Sequence, residues 1–171
     1  MSKIKIQSTL LKKAVLGDKP AIKSMFQNFI SEDDTIIDVQ YLGSYGFLFK
    51  TKSFVCISDR KIASMEHGPF GKIVYQDAFI EDVNSGVIYQ PSIFPLYLIG
   101  FLLCITIVGI LLLNGWIRLY YHLHKSGLVW VVREGASVYA FANRSKIDLV
   151  NEFWRKASYL RTKRKDYLKG I

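Results

Sequence analysis

The sequence predicts an α+β membrane protein: an antiparallel bent sheet or barrel, closed by a C-terminal amphipathic helix and split by a hydrophobic helical membrane segment. Three observations predict it. Short runs rich in β-branched and aromatic residues recur from Thr35 onward, punctuated by Gly, Ser, Asp and Asn. No charged residue occurs between Ile93 and Trp116, a stretch comparable with the ~20 apolar residues of a membrane span. A hairpin pattern and a helix pattern follow it, and two strands bury too little surface to stand alone. The strands on either side of the apolar run therefore need each other.

The elements follow in order. Residues 1–34 are a basic segment and an amphipathic helix. The first 17 residues alternate basic and apolar side chains and fit a membrane-surface segment or a frayed end. In "GDKPAIKSMFQNFI", Asp18 stands at a capping position and Pro20 in the first turn. Ile22, Met25, Phe26, Phe29 and Ile30 then share one helical face. Residues 35–92 form the first part of the β domain: "TIIDVQYLG", "GFLFKT", "SFVCISD", "KIASMEHG", "GKIVYQDAFIEDV" and "GVIYQ" read as about five or six antiparallel strands. Residues 93–122 are the membrane segment. Residues 127–165 close the domain. "LVWVVREGASVYAFAN" reads as two strands about a turn at Glu134-Gly135, and the segment from Ser145 reads as a helix with a Ser145–Asp148 capping box. Its apolar stripe is Leu149, Val150, Phe153, Ala157 and Leu160, and its basic face is Lys146, Arg155, Lys156, Arg161 and Lys163. Residues 166–171 are a basic tail.

Composition narrows the class. The 171 residues are half hydrophobic and carry a net charge of +9. Residues 1–92 hold 11 Lys/Arg against 10 Asp/Glu, and residues 93–171 hold 12 against 4. The basic excess thus lies beyond the apolar run, as expected for a C-terminus on the cytoplasmic side facing anionic lipid. No nucleic-acid recognition motif accompanies the charge, so no nucleic acid partner is expected. Cys56 and Cys104 sit in a strand and in the apolar run, which points to free thiols and a reducing compartment. The N-terminal residues show no signal-peptide core.

Two topologies fit the apolar run. In a single crossing, Pro95 to Leu113 spans, Gly115 ends the helix, and Trp116, Arg118, Tyr120 and Tyr121 lie at the membrane interface. In a re-entrant hairpin with a turn near Gly109, both flanks stay on one side.

The order of strands, final hairpin and C-terminal helix resembles the pleckstrin-homology-like (PH-like) superfold, and in particular bacterial PH-like membrane proteins. The resemblance is carried by "SFVCISDRKIASM", "GKIVYQDAFIEDVNSG" and "ASVYAFANRSKIDLVNEFWRKA", and covers residues 35–92 and 127–165. The inserted apolar segment departs from it. The resemblance implies a bacterial inner-membrane location and a loop that holds phosphate with basic residues. "KTK" is the matching fragment here.

No catalytic constellation stands out. There is no nucleophile elbow, P-loop or Cys-x-x-Cys. His122 and His124 are too few for a metal site, His67 reads as a turn residue, and "SDR" at 58–60 reads as a strand-end turn. The expectation is a non-enzyme with no cofactor and no metal. Lipid-headgroup candidates are Lys50, Lys52, Arg60 and Lys61, with Arg161, Lys163, Arg164 and Lys165 on the last helix. Trp154 reads as a core anchor of that helix or a partner contact. The expected role is a membrane anchor, scaffold or assembly subunit, with membrane lipids and a protein partner or a second copy as partners. The alternative is a single-pass subunit of a transport or secretion complex whose halves fold within the assembly.

Overall fold

The computed structural model describes residues 6–46, 49–133 and 135–170. Its centre is the unbroken apolar run Phe54-Val55-Cys56-Ile57 in strand β2 (Thr51–Ser58), where every residue from Ser53 to Ser58 is buried. Strand side chains alternate between faces, so full burial requires cover on both. Phe54 and Cys56 face the N-terminal helices α1 (Ser8–Val15) and α2 (Lys19–Gln27), joining Leu11, Ile22, Met25 and Phe26. Val55 and Ile57 face the other way, into a core with Leu42, Leu128, Trp130, Val150 and Phe153.

β2 lies between β1 (Ile36–Tyr45) and β3 (Lys61–His67), and β4 (Ile73–Phe79) completes a four-stranded antiparallel sheet. β5 (Val83–Tyr89), β6 (Ser126–Val132) and β7 (Val138–Ala142) form a second, three-stranded antiparallel sheet. The expected single bent sheet is thus two sheets, meeting where Asn143 N–H donates to the Leu42 carbonyl at 2.8 Å. The last helix, α5 (Ile147–Lys169), buries Val150, Phe153 and Ala157 in the inner core. Its capping box does not form. The chain enters through a 3-10 turn, Arg144–Lys146, and Lys146 stands at the cap without a side-chain bond. Asp18 occupies the α2 cap, also without a side-chain bond. Of the first 17 residues, expected at a membrane surface or frayed, residues 8–15 form α1 with Leu11 and Ala14 buried. Of "GFLFKT", residues 47 and 48 lie outside the described residues, as does Glu134 of the final turn.

The membrane-spanning expectation is overturned. The apolar run forms two short helices, α3 (Phe94–Cys104) and α4 (Ile107–Leu123), of 11 and 17 residues. Among the described residues no helix is long and apolar enough to cross a membrane. The chain breaks at Ile105-Thr106, where Thr106 is extended and its Oγ1 accepts the Gly109 N–H at 2.9 Å. A Cβ at Gly109 would fall 1.9 Å from the Leu103 carbonyl oxygen, so this close return requires glycine. Asn114 and Gly115, expected to end a span, lie inside α4. Among the described residues the result is a small α+β fold of two antiparallel sheets and five α-helices, with an antiparallel helical hairpin inserted between β5 and β6. The single-pass alternative with separated halves falls with the span, because both halves pack in one core.

Candidate functional site

The hairpin presents its apolar side chains outward. Phe101 is 70% and Leu111 78% exposed, and Phe94, Tyr97, Ile105 and Val108 are exposed with them. An unpartnered apolar surface this continuous marks a contact site in a folded protein. Its base, by contrast, is tied down. Trp116 Nε1 donates to the Leu96 carbonyl at 3.3 Å and locks the two legs at one level. Tyr120 is buried, donates its hydroxyl to the Ser92 carbonyl and stacks on His124 at 4.4 Å between ring centroids. Arg144, just after β7, donates to the Pro91 carbonyl at 2.8 Å.

Of the expected interface residues, Tyr120 is therefore a buried strut. Trp116 is half-buried, and Arg118 and Tyr121 are exposed. Beside them a cleft of about 400 Å³ separates the hairpin base from the ends of β1 and β7. Ser44, Tyr45, Arg118, His122, Lys125 and Arg144 are among its lining residues. Lys125 Nζ lies 4.4 Å from the centre of the Tyr45 ring and 4.8 Å from that of Phe141. Tyr45 donates to Glu66 at 2.7 Å; burial first, then the Glu66 carboxylate, push its hydroxyl pKa up, so it stays a donor.

The same end of the domain carries an aromatic pair that sequence patterning passed over. Gly46, at φ 125°, lies so close to Phe49 that a Cβ there would meet the Phe49 carbonyl. The Phe49 ring packs against Phe70 at a tilt of 58°, with centroids 5.5 Å apart, and Phe70 is 93% exposed in the β3–β4 turn. Lys50 follows Phe49 and Lys72 lies two positions after Phe70, and both are exposed.

The expected headgroup residues do not form one cluster. Lys50 and Lys52 lie at the start of β2, while Arg60 and Lys61 follow its end, roughly 20 Å away by strand rise. Arg60 lies 3.6 Å from Asp34, and Lys61 2.9 Å from Asp77. On α5, Arg161 donates to the Val83 and Asn84 carbonyls at 3.2 and 2.7 Å, and Arg164 pairs with Glu81 at 3.0 Å. Those partners stand at or just before the start of β5, whereas the hairpin leaves from its end. Lys163 and Lys165 lie at that same distal end of α5, away from the hairpin. Trp154 is half-buried, its ring over Gly86. His67 is held below its ordinary pKa by burial and then by Lys52. Among the described residues no group of three or more His, Cys, Asp or Glu is placed to hold a metal. Comparison with known proteins finds no matching family model, no matching characterised protein and no matching solved structure.

Proposed function

We propose that this chain is a non-enzymatic, PH-like membrane-anchoring module whose helical hairpin dips into one leaflet and does not cross it. The observation that carries the reading is the reach of the hairpin. From the Trp116 level to Thr106 is about 15 Å at helical rise, half of the ~30 Å hydrocarbon core. Backbone donors at such depth need partners. Ile105 and Thr106 donate to the Leu102 and Leu103 carbonyls, Ile110 to that of Thr106, and Gly109 to the Thr106 side chain. The Phe49–Phe70 pair, with Lys50 and Lys72, stands at the same end and supplies a second, interfacial contact. The four-plus-three strand order with a closing helix supports the PH-like part of the reading.

Flotation of the full chain with neutral phosphatidylcholine vesicles tests it. The chain is expected to float, and the pair Phe101→Glu and Leu111→Glu to stay in the soluble fraction, each charge costing about 2.5–3.5 kcal/mol at depth. A wild-type chain that remains monomeric in buffer and ignores vesicles sinks the reading. One that instead forms a defined oligomer assigns the hairpin to a second copy.

A further inference from the structure

We infer that the cleft at the hairpin base is a phosphate-binding site, with Arg118, Lys125 and Arg144 as its cationic ligands and a phosphomonoester headgroup as its occupant. The lipid source of that phosphate rests on the membrane-anchoring reading above; the site itself does not.

The three cations come from separate parts of the chain: α4, the residue before β6, and the residue after Asn143 at the end of β7. Among the described residues, no Asp or Glu lines the cleft. Among the described residues, none of the three takes part in an ion pair. The Glu66 carboxylate stands behind Tyr45 and is engaged by its hydroxyl, and like charges gathered without ion-pair partners leave a positive potential that an anion relieves. Lys125 is positioned by the faces of Tyr45 and Phe141, which orient its ammonium without neutralising it. Arg144 spends one N–H on the Pro91 carbonyl and keeps its other donors.

His122 lines the cleft beside these cations. Ser44 and Ser145 add hydroxyls at the rim. Converging donors from several directions suit a phosphate, whose oxygens accept from all sides, and guanidinium groups match that geometry. The level is also right. Arg118 lies two residues, about 3 Å of helical rise, beyond Trp116 on the side away from the tip. That is where headgroups begin if Trp116 marks the interface.

The test uses the full chain in two arms. In neutral detergent, inorganic phosphate and glycerol 3-phosphate are titrated by calorimetry. In vesicles, phosphatidic acid is compared with phosphatidylglycerol at matched surface charge. Soluble phosphate binding is expected, with a preference for phosphatidic acid of about tenfold. The pair R118Q and K125Q is expected to weaken both by about tenfold. R118Q alone, a change at an exposed side chain, is expected to give a smaller loss in the same direction and guards against misfolding of the pair. The pair K163Q and K165Q removes equal charge from the far end and is expected to change neither. Soluble phosphate binding without headgroup preference keeps the site and assigns it a soluble phosphate. No phosphate binding in either arm, or equal losses from both double variants, overturns the site. Flotation with neutral phosphatidylcholine reads hairpin insertion separately, so the anchor can fail while the site stands, and the reverse.

Discussion

Asp38 joins three parts of the molecule. Its two carboxylate oxygens accept from Lys19 of α2 and Lys156 of α5, each at 2.9 Å, and one of them also accepts the Val39 N–H. Burial acts to raise its pKa, but the hydrogen bonds and charges of the two lysines outweigh it and hold the carboxyl below the ordinary range. The folded state therefore binds this proton less readily than the unfolded chain. The stabilisation is complete above the unfolded value near ~3.9 and is lost as pH falls through the lower folded value. Asp38→Asn is expected to cost on the order of 2 kcal/mol at pH 7, with the deficit shrinking in strong acid; urea midpoints measured against pH check it. A deficit unchanged at low pH contradicts this assignment. The two thiols differ just as sharply. Burial, and then Asp38, push Cys56 up to about 12, while Cys104 is exposed. Native protein in buffer at pH 7.5 is expected to take one equivalent of iodoacetamide, at Cys104, and two after denaturation. Sequence patterning reached the free thiols but not the Asp38 link, because Lys156 is 118 positions away and read only as part of a basic face.

At the scale of elements, periodicity was informative where one face is buried. The stripe Ile22-Met25-Phe26 and the stripe Val150-Phe153-Ala157 are the faces that α2 and α5 bury. It was least informative where local energies balance. The uncharged run from Ile93 fits a span as well as a hairpin because hydropathy does not register a break at Ile105-Thr106, which rests on one threonine cap and one tight glycine. The basic face of α5 read as a surface for anionic lipid, yet Lys146 donates to the Tyr41 carbonyl at 2.9 Å and Lys156 and Arg161 also bond inward. The contact between α5 and β5 makes its own prediction. A Cβ at Gly86 would meet the Trp154 ring at 2.7 Å. Gly86→Val is expected to displace the indole, red-shift its fluorescence and lower stability by about 1–3 kcal/mol. An unshifted spectrum with unchanged Tm contradicts the packing.

For the whole molecule, the decisive fact is that the apolar insertion returns the chain to where it left. Tyr120 and Arg144 bond the carbonyls of Ser92 and Pro91, and β6 pairs with β5 across the insertion. The need of the two halves for each other was legible from strand counting, since a lone hairpin and helix make no unit. What strand counting could not supply was the cleft. Arg118, Lys125 and Arg144 are spread over 27 positions with no shared motif, and only the hairpin brings them together. On a Cys104→Ser background, in which the remaining Cys56 is buried, cysteines introduced one at a time as Lys50→Cys and Lys163→Cys in vesicle-bound protein are expected to react with an impermeant maleimide from the same, outer side. The most direct test of the account is the depth of Cys104, two residues before the tip. A fluorophore on Cys104 in phosphatidylcholine vesicles, quenched by lipids brominated at different acyl positions, reads it. The account predicts strongest quenching by bromines near the chain ends and no access to a quencher sealed in the lumen; quenching by outer aqueous iodide, or by the lumenal quencher, would contradict it.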